Sequence, residues 1–353
     1  MDMNPNLSSA LAIPSLLMLL ALPAAVQAQS TNVFGYAIHD GTITINNYIG
    51  PGSDVSIPSM INGLPVTGIG GREIGINEGF FGAFEGSSLT AVVIPDSVTN
   101  IGEAAFYNCT SLTNVTIPDS VTSIGEETFR NCTSLANLTI PHSVTSIGNR
   151  AFYGCTSLTN VTIPNSVTNI GGETFRDCTR LSNVRIPDSL TSISPDTFAG
   201  CTSLTSVTIP DSVTNIEDGA FYGCTRLRRT YFQGNAPNLL GPSVFSGGTP
   251  VTVYHLPGTT GWVLRYGGRP IKLWSLPNPA VLTTGSSFGI QTNQFGFTIS
   301  WATNLSVVVE ATADLAHPAW APVSTNTLTS GASYFSDPQR TTSPSRFYRL
   351  RSQ

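Results

Sequence analysis

Apolar positions recur along this chain at a fixed interval. Between residues 109 and 224, Cys109, Cys132, Cys155, Cys178, Cys201 and Cys224 stand 23 residues apart. The same interval carries Phe106, Phe129, Phe152, Phe175, Phe198 and Phe221, and also Pro95, Pro118, Pro141, Pro164, Pro187 and Pro210. A repeat of 20–50 residues means a stack of equivalent units, because one such unit is too small to bury its own apolar face.

The unit LTNVTIPDSVTSIGEETFRNCTS, residues 112–134, predicts its own elements. Leu112, Val115 and Ile117 give a short strand with Asn114 and Thr116 facing outward. Pro118 has no N–H for a strand ladder and ends it, and Asp119-Ser120 is turn chemistry. Val121 and Ile124 predict a second short extended segment. Glu126 to Asn131 reads as one or two helical turns with Phe129 in the core. The ends of the array are degenerate: Gly70 to Gly82 interrupts a first copy with a glycine-rich loop, and Leu227 to Phe245 is a decayed last one. GTITI within Phe34 to Ile49 predicts a capping strand.

This unit resembles the BspA-type leucine-rich repeat of bacterial and protozoan surface proteins, over about Val55 to Trp274. The resemblance implies a β-rich solenoid, a right-handed stack of 23-residue units, in a secreted or cell-surface protein. It also implies adhesion or recognition, with the ligand left open. After Pro277-Asn278-Pro279 the pattern changes. Phe295, Phe297, Ile299 and Trp301 alternate as in a half-buried strand, and a small C-terminal β-sandwich is expected. Its ending, RFYRLRSQ, resembles C-terminal modules of secreted proteins from Verrucomicrobia. The expected division is residues 1–28 signal peptide, 29–54 β cap, 55–275 solenoid and 276–353 β-sandwich module.

Composition bears on location and partners. The apolar run LLMLLALPAA followed by Val26-Gln27-Ala28 fits a cleaved secretion signal, and no later segment is long and apolar enough for a membrane helix. Charged residues make up only 10% of the chain, with a net charge of −5. There is no basic stripe of the kind nucleic-acid binders carry, so no nucleic-acid partner and no cofactor are expected.

Candidate chemistry is sparse. Six cysteines in an exported chain raise the possibility of disulfides, but side chains stacked in parallel suit a ladder of buried thiols better than the S–S geometry. No zinc-type spacing occurs. Asp96, Asp119, His142, Asn165, Asp188 and Asp211 follow the prolines; turn preference explains them, with calcium binding along that edge as the alternative. Tyr107, Arg130, Tyr153, Arg176, Ala199 and Tyr222 alternate ring and cation. His39, His142, His255 and His317 are scattered, no catalytic motif occurs, and acids such as Glu126-Glu127 read as a solvated face. A non-enzyme is expected.

Two outward columns remain. One is Asn114, Asn137, Asn160, Asn183 and Ser206; the other is Thr116, Thr139, Thr162, Arg185, Thr208 and Tyr231. They serve either the fold alone or a hydrogen-bonding surface for protein or glycan, and the sequence leaves both readings open. Arg185, Arg228, Arg229 and Tyr231 break the monotony with residue types common at interfaces, and are the favoured binding patch. The competing role is a structural envelope or matrix component that self-associates through its repeats.

Overall fold

A computed structural model describes residues 33–70, 72–73, 80–274, 280–282, 289–291, 294–300, 306–315, 317–328, 332–337 and 346–352. The expected signal peptide and Trp301 lie outside the described residues.

The repeats coil into a β-solenoid of about nine turns. The turns contribute short strands to two parallel ladders, the second of which ends before the first. The first ladder runs from Asp54–Ser56 through Ala91–Val93, Asn114–Thr116, Asn137–Thr139 and Asn160–Thr162 to Asn183–Arg185. It resumes with Ser206–Ile209, Arg229–Phe232, Thr252–His255 and Arg269–Leu273. The second holds the segments anticipated around the Val-x-x-Ile pattern, from Leu64–Ile69 to Asn169–Ile170 and then Ser192–Ile193 to Asn238–Leu240. Register is exact to the repeat: Val115 sits beside Leu138, and Ile124 beside Ile147. The expected cap strand is Thr42–Tyr48, which turns back through Asp40-Gly41 to pair with Phe34–His39 and also joins Leu64–Ile69.

Both ladders break, the second one turn before the first, and one position explains the break in the second. Gly102, Gly125, Gly148 and Gly171 donate their N–H to the isoleucine carbonyl one turn back, at 2.6–2.9 Å. A Cβ on Gly148 would stand 2.5 Å from the Glu126 nitrogen, so the backbones approach this closely only because the residue is glycine. The next turn has Ser194. Its hydroxyl, rather than its N–H, donates to the Ile170 carbonyl at 2.6 Å, and the sheet restarts at Ser192–Ile193.

The third side of each turn differs from the helical expectation. Glu126 to Asn131 forms successive tight turns, because Glu127 and Asn131 have φ of 53° and 59°. This left-handed twist points alternate N–H groups along the stack. Glu127, Phe129 and Asn131 donate to the carbonyls of Asn149, Ala151 and Tyr153 at 2.9, 2.8 and 2.7 Å. The core therefore has three hydrogen-bonded walls. Inside, Phe84, Phe106, Phe129, Phe152, Phe175, Phe198, Phe221 and Phe245 form one column, with rings 5.0–5.8 Å apart and within 10° of parallel.

The C-terminal residues build two antiparallel sheets. Gln294–Ser300 lies between Ala280–Leu282 and Ala332–Asp337 and also pairs with Gly289–Gln291. Ser306–Thr312 lies between Ala321–Thr327 and Phe347–Ser352. Phe297, Ile299 and Phe335 from the first sheet bury against Val307 and Val309 from the second, with Leu328. This is the expected sandwich. The arginines of the RFYRLRSQ ending are fastened to it: Arg349 and Arg351 donate to Glu310 at 2.7 and 3.1 Å, holding its carboxyl below the usual range, and Arg346 lies 3.1 Å from Asp337.

Candidate binding face

The outward face of the first ladder carries the columns read from the sequence. Asn114, Asn137, Asn160 and Asn183 are in register, as are Thr116, Thr139, Thr162 and Arg185. Thr208 aligns with Tyr231 and Ser206 with Arg229. Every one of these side chains is exposed except Tyr231, which is half-buried.

Hydrogen bonding separates these columns from purely structural ones. At other slots, threonine hydroxyls are spent on the stack: Thr133 and Thr156 donate to the Thr110 and Thr133 carbonyls, and Thr145 and Thr168 to those of Thr122 and Thr145. On the sheet face the four Asn and four Thr side chains form no such ladder. Among the described residues, only Asn160 is engaged, with neighbouring Thr159 at 3.3 Å. The amides and hydroxyls are free to meet a ligand. Beside them a trough of about 510 Å³ runs over three turns, floored by Asn114, Thr116, Asn137 and Thr139 and walled by Asp119, Pro141, His142 and Pro164. Sequence reading assigned Asp119 and His142 to turns, with calcium binding as the alternative, and the prolines to strand ends, and did not see them as a wall. Their place beside the face comes from the chain bending sharply at each proline.

The favoured patch divides in two. Arg185 lies over the middle of the stack, 3.7 Å from Asp188. Arg228, Arg229 and Tyr231 belong to the C-terminal end. There Tyr231 stacks on Tyr254 with ring centroids 5.1 Å apart and meets the Trp274 ring at 4.8 Å. Tyr254 and Trp274 were missed in the sequence. The 23-residue interval counted on from Tyr231 reaches Tyr254, so that signal was present; Trp274 arrives through a shortened last turn, which no fixed interval reaches.

The cysteines and the ring-and-cation column pack into the stack. All six cysteines are buried free thiols. Cys132, Cys155, Cys178 and Cys201 each donate to a phenylalanine carbonyl one turn back at 3.2 Å. Burial pushes Cys155 and Cys224 up to about 12, which leaves them thiols rather than reactive thiolates. Arg130 lies over both Tyr107 and Tyr153, 5.5 and 4.9 Å from the ring centres. Glu127 corrects the solvated-face reading: it pairs with Arg130 and Arg150, and Arg150 reaches Glu173 at 2.7 Å, because the left-handed turn lays these side chains along the stack. Along the proline edge Asp211 is half-buried and its carboxyl is raised, mainly by desolvation. Among the described residues, no three His, Cys, Asp or Glu side chains cluster as metal ligands.

The repeat now has both sequence and geometry behind it. The model of the BspA type leucine rich repeat region matches residues 81–193 and 145–260, just over half of the chain. The protein is a member of the BspA-type leucine-rich repeat family. A solved relative, the T. pallidum leucine-rich repeat protein TpLRR, is 34% identical with a TM-score of 0.51. That alignment covers 56% of this chain and 90% of TpLRR. A leucine-rich repeat protein from Bacteroides ovatus is 27% identical with a TM-score of 0.46, over 70% of this chain and 76% of its own. No curated protein matches the chain. Among the described residues of this BspA-type protein, no helix is long and apolar enough to cross a membrane.

Proposed function

We propose that this BspA-type repeat protein is a secreted or cell-surface binding protein, without catalytic activity, that recognises a protein or glycan with the outward face of its first strand ladder. One observation carries the reading: among the described residues, the exposed Asn and Thr columns form no hydrogen-bond ladder along the stack, Asn160 alone bonding its neighbour Thr159, while threonines at other slots do. The trough beside them gives that face relief. Export is supported by the apolar run and by Val26-Gln27-Ala28. The division into a cap over 29–54, a solenoid over 55–275 and a module over 276–353 belongs to the same proposal.

The test uses residues 29–353, screened against arrays of matrix proteins and glycans. Thr116→Arg with Thr139→Arg fills the trough, and Arg185→Ala, Arg228→Ala and Tyr231→Ala strip the favoured patch. At least one set is expected to weaken any captured ligand by roughly tenfold or more, as interface anchors do. Unchanged affinity in both sets overturns the assignment to this face.

A further inference from the structure

Charge is divided along this chain in a way its net value hides. Residues 33–218 carry 17 acidic and six basic side chains. Residues 219–309 carry no acidic side chain at all and six basic ones, Arg226, Arg228, Arg229, Arg265, Arg269 and Lys272. Two of the six are occupied by the fold: Arg265 donates to the Gly268 carbonyl and Arg269 to that of Phe245. Arg228, Arg229 and Lys272 are exposed and form no ion pair among the described residues.

Arg229 and Lys272 lie on the strands that carry the aromatic group described above, and Arg228 immediately precedes the first of them. Arg229 and Tyr231 are two positions apart on one strand and so share its outward face. Tyr231 aligns with Tyr254, and Tyr254 with Lys272. Trp274, just after the ladder's last strand, closes over Tyr231. The result is a half-buried group of three rings with cations on either side, at the end of the sheet where no acid is near in sequence. Like charges gathered in this way repel one another, and a polyanion relieves that repulsion.

We infer that this end of the sheet binds an anionic polysaccharide, with the rings taking the apolar C–H face of a sugar and Arg228, Arg229 and Lys272 its carboxylate or sulfate groups. The inference rests on the binding reading above and narrows it to one ligand class at one place. Guanidinium forks suit carboxylate and sulfate oxygens, and they hold their charge at any working pH. The neighbouring outward positions Ser206, Thr208 and Thr252 carry hydroxyls that donate to and accept from sugar hydroxyls. Strands spaced about 4.8 Å apart match the length of one pyranose unit, so a glycan laid across the strands meets an equivalent position at each sugar. Single-stranded nucleic acid is less well served. Its bases stack on successive separate rings, whereas these three rings are packed against one another.

The experiment titrates residues 29–353 with heparin, polygalacturonate, neutral dextran and a single-stranded oligonucleotide, at low and at physiological salt. Binding of heparin or polygalacturonate that weakens with salt and exceeds that of dextran and oligonucleotide is the expected result. Arg228→Gln, Arg229→Gln and Lys272→Gln together, and separately Tyr254→Leu, should each reduce it by roughly tenfold or more, with circular dichroism and melting unchanged. No binding of either anionic glycan overturns the inference, as does tighter binding of the oligonucleotide or equal binding of dextran. Loss through Thr116→Arg and Thr139→Arg instead of the patch variants moves the site to the trough, which overturns the inference and leaves the binding reading standing. Failure of every probe and every arrayed ligand removes both.

Discussion

Thr230 occupies a slot that holds Val115, Leu138, Val161, Val184 and Val207 in earlier turns. It is fully buried, and its hydroxyl has no hydrogen-bond partner. Thr230→Val keeps the shape and removes a desolvated hydroxyl, so it should stabilise the solenoid by about 1 kcal/mol, read from urea unfolding. Gly148 is the opposite case, since a Cβ there would meet backbone atoms that cannot turn away. Gly148→Ala should cost about 1–3 kcal/mol in the same assay. His255 gives a pH dependence. Its ring stacks on Trp262 at 4.8 Å, and burial lowers its pKa below the ordinary 6.5. Above pH 6.5 the ring is neutral in both folded and unfolded chains, and stability is complete. As pH falls below that value the unfolded chain takes the proton first, so stability declines until the lowered folded-state pKa is passed. His255→Phe should flatten this decline in melting temperature measured across about pH 7.5 to 5, while keeping the stack.

Strands, turns and ring columns contribute differently. The ion pairs along the third wall, from Glu127 through Arg150 to Glu173, are a quarter or more exposed at most positions. Such pairs contribute little, and Glu173→Gln should change stability by less than about 1 kcal/mol. Phe152→Ala opens the phenylalanine column in mid-stack and should cost about 3–5 kcal/mol, measured in parallel. The strands of the first ladder were legible because their alternation is strict and the proline marks each end. The third wall was not. Its pattern of a buried Phe129 among polar residues fits a helix as well as a turn, and the deciding feature is a positive φ at Glu127, Arg150 and Glu173, residue types that give no local sign of it. Asn131 and Gly154, which also turn left-handed, are residues that tolerate that conformation, and they were the available clue. The candidate face was legible in its columns, where interval and alternation agree. It was not legible in the trough wall or in Trp274, because both depend on where the chain bends rather than on what repeats.

The described residues contain two separate apolar cores. One runs from Phe34 to Tyr266 through every turn of the stack. The other joins Phe297, Ile299, Val307, Val309, Leu328 and Phe335 between the two C-terminal sheets. In a solenoid each turn is stabilised by its neighbours, so cooperativity spreads along the stack and stops where stacking stops. Here the first ladder ends at Arg269–Leu273, before the strands of the second core begin. A protein ending at residue 275 should therefore keep the main unfolding transition of residues 29–353, with its midpoint shifted by no more than a few degrees, and lose only a smaller second transition. Scanning calorimetry of the two lengths checks this. A single transition in the longer protein, falling sharply in the shorter one, would mean that the sheets brace the end of the stack. The same pair of proteins bears on the binding surface, because Tyr231, Tyr254, Trp274 and Lys272 all lie within the shorter length. If the stack alone positions them, removing residues 276–353 should leave heparin or polygalacturonate affinity within about twofold, since the sheet register that aligns these side chains is complete without the second core.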